Sequence, residues 1–209
     1  MNSTTSSATD HRPTLVYDIN THRYLNITAR CTLRCQFCPK HNGSKQVHQY
    51  NLSLSNTVTA ADILPLLGNV NEVDEYVFCG FGEPTLNLDC LLDVARAIKT
   101  QGGKVRLNTD GLGNLFHRRN ILPELGECID SISISLNAHN ETTYQQHCRP
   151  KLANSYQALL NFIALAPRYI QQVQVSAIEG LENVDIDRCR EIATHYGVQF
   201  KQRQLDIIG

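Results

Sequence analysis

The stretch RYLNITARCTLRCQFC, residues 23–38, joins two patterns that together set the fold: a strand-like run over 22–28 and, directly after Ala29-Arg30, the cysteines Cys31, Cys35 and Cys38. Three thiols on a short loop at a strand's C-terminal end sit where parallel α/β architectures carry their active sites. The same arrangement repeats outward along the chain. Strand-like runs cover 75–81, 104–109, 131–137, 172–178 and 198–202, and helical stripes fall between them. Asn87 precedes Leu88, Leu91, Leu92, Ala95 and Ile98, an apolar stripe at helical spacing that Gly102-Gly103 closes. Similar stripes follow Asn154 (Leu159, Leu160, Ile163) and precede Gly197 (Ile186, Cys189, Ile192, Ala193, Tyr196), and a shorter helix is expected over 59–68. Six strands alternating with helices call for a parallel sheet with right-handed crossovers, curled into a partial (β/α)6 TIM-type barrel.

The run SISISLN, residues 131–137, sharpens this reading. Ile132, Ile134 and Leu136 fall on one face, and Ser133, Ser135 and Asn137 on the other. A parallel strand covered by helices on both sides would be apolar on both. The serine face therefore looks into a polar cavity, unless this is a half-exposed antiparallel strand.

A chain of 209 residues, 42% of them hydrophobic, can bury one sizeable core. Residues 14–209 read as a single domain behind a Ser/Thr-rich tail, 1–13, that lacks apolar periodicity. The 19 Lys and Arg against 20 Asp and Glu give no signal for nucleic acid or an anionic membrane. Neither a signal peptide nor a stretch of transmembrane length stands out, so a cytoplasmic, reducing location is expected. There the clustered cysteines read as metal-binding or catalytic and not as disulfides. Three thiolates can converge on a soft metal centre, and three ligands on a [4Fe–4S] cluster leave one iron open to a small molecule.

CTLRCQFC resembles the CxxxCxxC signature of the radical S-adenosylmethionine (radical SAM) superfamily, including the aromatic Phe37 before the third cysteine. CGFGEP, residues 79–84, resembles that family's GGEP motif, with Phe81 standing where the motif has its first glycine. The resemblance implies that Cys31, Cys35 and Cys38 hold a [4Fe–4S] cluster. It also implies that Gly80, Gly82, Glu83 and Pro84 form the turn receiving the methionine amino group of S-adenosylmethionine. LNTDG at 107–111 and SLN at 135–137 resemble the third- and fourth-strand segments, which brings Asn108, Ser135 and Asn137 to the cofactor. YLNITARC, YVFCGFGEPTL, VRLNTDGLGNL, DSISISLNA and CRP are most similar to the small radical SAM proteins associated with TatD-type nucleases. The implied activity is reductive cleavage of the cofactor to a 5′-deoxyadenosyl radical that abstracts hydrogen from a substrate left open, with flavodoxin or ferredoxin as electron donor.

Two other functions suit the same cysteines. A zinc-binding interaction module would take His41 as fourth ligand in Cys31-x3-Cys35-x2-Cys38-x2-His41, and an iron–sulfur electron carrier would need no cofactor pocket. Of the remaining cysteines, Cys90, Cys128 and Cys189 read as small core residues. Cys79, before GFGEP, and Cys148, in HCRP, are the two thiols that could act on substrate, packing being the alternative for Cys148. The stretch 39–58 lacks a core pattern and could cover the cluster. Glu179 and Arg203 could reach the cavity from the last strands, Arg suiting a carboxylate or phosphate, or could be a surface ion pair.

Overall fold

The computed structural model describes residues 13–41, 43 and 46–205, so the tail expected over 1–13 lies outside the described residues except for Pro13. Strand β1 (Val16–Ile19) turns at Asn20-Thr21 into β2 (His22–Leu25), which it pairs antiparallel. Asn20 has φ 53°, a left-handed conformation that hairpin turns require and asparagine tolerates. After the cysteine loop come a small antiparallel pair, β3 (Gln46–Val47) and β4 (Tyr50–Asn51), and the short helix α1 (Ala60–Ile63). The alternation then runs β5 (Glu75–Phe78), α2 (Leu88–Thr100), β6 (Val105–Thr109), α3 (Gly113–His117), α4 (Leu122–Gly126) and β7 (Ser131–Ser135). It ends with α5 (Glu141–Cys148), α6 (Ser155–Leu165), β8 (Gln172–Glu179), α7 (Ile186–His195) and β9 (Gln199–Gln204).

The main sheet has the order β1-β2-β5-β6-β7-β8-β9. From β2 to β9 every neighbouring pair is parallel, which gives the six parallel strands of the partial (β/α)6 barrel. Ile132, Ile134 and Leu136 are at most 1% exposed and pack into the core with Leu91 and Ile98 of α2 and Leu159 and Phe162 of α6. Burying each such side chain stabilises the fold by roughly 1.5–3 kcal/mol. Ser131, Ser133 and Ser135 remain half-buried on the other face, and Ser131 Oγ there donates to Glu75 Oε1 at 3.0 Å. The polar inner face expected from SISISLN is present.

Several local expectations change. The helix over 59–68 is one α turn followed by a 3-10 turn, Leu64–Leu66, because Pro65 has no N–H to continue the ladder. Asn87 begins α2 without capping it; its Nδ2 donates instead to the carbonyls of Ile27 (2.9 Å) and Val58 (2.8 Å). Asn154, at φ 57°, likewise caps nothing with its side chain. The stretch 39–58 is not without anchors. Leu52 and Val58 are buried, Asn26 Nδ2 donates to Leu52 O, and the Tyr50 ring packs tilted against Tyr17 on β1 with ring centroids 5.0 Å apart. Its described part thus covers the edge of the sheet. Among the described residues no helix is long and apolar enough to cross a membrane.

Candidate active site at the C-terminal strand ends

The loop after β2 is held by a segment far along the chain. Arg34 N–H donates to Cys148 O at 3.0 Å and Gln36 N–H to His147 O at 2.9 Å. Lys151 N–H donates to Thr32 O at 2.9 Å, and its Nζ to Cys31 O at 2.9 Å. Residues 147–151, HCRPK, therefore strap the thiol loop. They can do so because α5 ends at Arg149 in the left-handed conformation, φ 46°, and Pro150 prevents its continuation. Leu33 fixes the loop from below, 4% exposed in the core.

Cys31, Cys35 and Cys38 are all half-buried. Burial, then the carboxylates of Asp110 and Glu83, push the Cys31 thiol up; its Sγ is 4.0 Å from Asp110 Oδ2. A hydrogen bond with Cys148, then burial, raises Cys35, and burial raises Cys38. Each thiol faces a different neighbour, and among the described residues no three His, Cys, Asp or Glu side chains converge in a metal-holding group. The donor chemistry fits an iron–sulfur cluster: three reachable sulfurs on one loop, soft ligands whose thiolate form bound iron would favour. His41 follows in a 3-10 turn, its N–H on Cys38 O at 2.9 Å, and its exposed ring joins no such group.

The end of β5 meets this loop through close backbone contact. A Cβ on Gly82 would lie 2.1 Å from Thr28 O and 2.7 Å from Arg30 O, and one on Gly80 would lie 2.3 Å from Asn26 Oδ1. Only glycine lets the strands approach so closely. Glu83 N–H donates to Arg30 O at 2.7 Å, and Pro84 opens a 3-10 turn. The Glu83 side chain points inward. Its Oε1 accepts from Thr85 N–H (3.1 Å), Thr85 Oγ1 (2.7 Å) and Thr109 Oγ1 (2.7 Å), and its Oε2 from Asp110 N–H (2.6 Å). Burial and then Asp110 push its carboxyl up, against the pull of those donors. Asp110, for which the sequence alone suggests no role, completes the clamp. Its Oδ1 accepts from Leu112 N–H at 2.9 Å, and its Oδ2 from Thr32 Oγ1 in the cysteine loop. Burial raises its carboxyl as well. Two buried carboxylates thus lock the ends of β2, β5 and β6 together.

The inner face beside this clamp is polar and incompletely paired. Cys79 is half-buried; burial raises its thiol, while a hydrogen bond from Asn108 opposes the rise. Asn108 Oδ1 and Asn26 Oδ1 are buried without a hydrogen-bond partner among the described residues. Asn137 is 2% exposed at φ 56°, and its Oδ1 accepts from Arg203 Nη2 at 3.3 Å. Ser135 lies half-buried just before it, and Phe37 packs at the core margin. Cys148 is fully buried against Cys35, whereas Cys90, Cys128 and Cys189 fill the core away from the loop. Glu179 does not pair with Arg203: its Oε2 accepts from Gln204 Nε2 at 2.5 Å.

With this geometry in view, comparison with known proteins is informative. The family model described as "Radical SAM superfamily" matches residues 25–193. GTP 3′,8-cyclase of Corynebacterium glutamicum (strain R) is 27% identical over 185 residues, covering 85% of this chain and 47% of that protein. The dual-specificity RNA methyltransferase RlmN of Buchnera aphidicola subsp. Schizaphis graminum is 29% identical over 116 residues, covering 51% of this chain and 29% of that one. The chain thus spans less than half the length of these curated relatives. Among solved structures, Streptococcus suis SuiB bound to S-adenosylmethionine superposes with a TM-score of 0.64 at 14% identity, covering 88% of this chain and 40% of SuiB. TYW1 with a lysine-pyruvate adduct gives 0.59 at 16% identity, covering 88% and 64%. At these identities the superpositions establish the shared fold.

Proposed function

This chain belongs to the radical SAM superfamily, and from that premise we propose that it is a radical-generating enzyme whose Cys31, Cys35 and Cys38 hold a [4Fe–4S] cluster. The observation that carries the reading is three half-buried thiols on one strapped loop at the C-terminal strand ends, a loop whose backbone the glycine turn of 80–82 meets closely. Superfamily members use such a cluster together with S-adenosylmethionine. When bound, the reduced cluster supplies the electron that splits S-adenosylmethionine into methionine and a 5′-deoxyadenosyl radical able to take a hydrogen atom from substrate.

The chain's own residues bind, orient and enclose. Gly80, Gly82 and Pro84 shape the turn for the methionine end of the cofactor, with the Glu83 carboxylate fixing that turn from behind. Phe37 packs beside the cluster loop, and Asn108, Ser135 and Asn137 offer polar groups to the nucleoside from the inner face. The single domain over 14–209, a cytoplasmic setting and flavodoxin or ferredoxin as external reductant complete the reading. The stretches YLNITARC, YVFCGFGEPTL and CRP support placement among the TatD-associated members, and CRP belongs to the strap on the thiol loop.

Anaerobic reconstitution followed by dithionite and S-adenosylmethionine tests the proposal. Reductant-dependent 5′-deoxyadenosine is the expected product. A colourless protein with one zinc per chain would replace it with the interaction-module reading, and a brown protein that forms no 5′-deoxyadenosine would leave an electron carrier.

A further inference from the structure

We propose that Arg203, set against Asn137 on the inner face of the barrel, is the recognition point for an oxyanion, a carboxylate or phosphate, carried by the substrate. That the anion's bearer is a substrate rests on the proposed function above; the anion site itself rests on the geometry.

Arg203 lies on β9, the last strand of the sheet, while Asn137 follows β7. Its Nε is buried and without a hydrogen-bond partner among the described residues, and the 3.3 Å contact from Nη2 to Asn137 Oδ1 is a bond to a neutral group. Arg23, Arg96, Arg106 and Arg119 each meet a carboxylate within ion-pair distance. Arg203 meets none among the described residues. The acid nearest in register, Glu179, accepts a hydrogen bond from Gln204 instead.

A guanidinium cannot escape burial by losing its proton, so a half-buried one lacking a counter-ion carries an uncompensated desolvation penalty. Burial does pull its pKa down, opposed by the fields of the Cys79 and Cys35 thiols. The guanidinium is set at the end of β7, two strands away in the sheet, by its bond to Asn137. Its planar fork matches carboxylate and phosphate oxygens in bidentate fashion. Asn108 Oδ1, unpartnered on the same face, adds an acceptor for an N–H or O–H of the same ligand. An anion on Arg203 would pin the substrate on the strand ends beside Asn137, the residue offered to the cofactor's nucleoside.

Thermal midpoints of the cluster-loaded chain, titrated with inorganic phosphate and separately with acetate against chloride at equal ionic strength, provide the test. The wild-type chain should show a saturable rise that persists at saturating S-adenosylmethionine. In Arg203→Gln the apparent affinity for the probe should fall by roughly ten- to a hundredfold. Arg203→Lys keeps the charge and loses the fork; it should weaken the probe by several-fold, and it gives the answer if the glutamine variant does not fold. Arg96→Gln, on the exposed side of α2, should titrate like wild type. Abolition of the rise by S-adenosylmethionine would assign the guanidinium to the cofactor's own carboxylate and overturn the proposal. Variants at 203 that titrate like wild type, or a wild-type chain indifferent to both anions, would overturn it too. A wild-type chain that binds the probes yet forms no 5′-deoxyadenosine would defeat the proposed function and leave the anion site standing.

Discussion

The two ends of the barrel's inner face treat charge in opposite ways. At the strand starts Arg106 and Glu75 form an ion pair across β5 and β6, Nε to Oε2 2.9 Å, and Ser131 donates to the same carboxylate at 3.0 Å. At the strand ends, among the described residues, Arg203 has no carboxylate, Asn108 Oδ1 and Asn26 Oδ1 have no donor, and Cys31, Cys35, Cys38 and Cys79 are half-buried. The first is closed by an ion pair between neighbouring strands, whereas the second is held from behind by Glu83 and Asp110, and its remaining polar groups meet no charge partner among the described residues.

Four tests, using six substitutions, probe that contrast, in falling order of their largest effect. Cys35→Ala should abolish cluster loading and 5′-deoxyadenosine formation, while Cys90→Ala, buried on the helix side, should retain iron. Equal iron in the two by elemental analysis would erase the distinction between mouth and core thiols. Glu83→Ala strands the amides of Thr85 and Asp110 and two threonine hydroxyls; since each buried unsatisfied group costs roughly 1–3 kcal/mol, a loss of about 4 kcal/mol is expected in urea unfolding. Ile134→Ala should cost about 3 kcal/mol through the cavity it leaves, and Ser133→Ala, one residue away on the polar face, about 0.5 kcal/mol or less. If both cost the same, the two faces of β7 are not what their exposures say. Glu75→Gln leaves Arg106 half-buried without its counter-ion and should cost about 1–2 kcal/mol with unchanged 5′-deoxyadenosine yield; a drop in yield would tie the closed end to the chemistry.

Much of this was legible in the sequence because both signals are local. The six parallel strands follow from alternation over five to seven residues, and the thiol loop from three cysteines in eight. What escaped is of two kinds. β1 and α5 carry weak periodicity: VYDI is four residues long with a charge inside it, and ETTYQQHC has almost no apolar stripe, its one signal being Asn140, whose Oδ1 accepts from Thr143 N–H at 2.9 Å. The other kind is long-range. Nothing local to LNTDG shows that Asp110 accepts from Thr32 across 78 positions, and nothing local to GFGEP shows that the Glu83 carboxylate accepts from Thr109 and Asp110. No window on the sequence contains both partners.

The strap of residues 147–151 has a consequence for assembly. The thiols leave the ribosome well before the segment that shapes their loop, whose bonds come from the end of α5 and from Lys151, 120 positions beyond Cys31. Contacts of such separation form late, after the intervening loops have closed. Until β7 and α5 are in place the cysteines are three sulfurs on a slack thread, and a chain cut before residue 141 would keep all three while losing the frame that aims them.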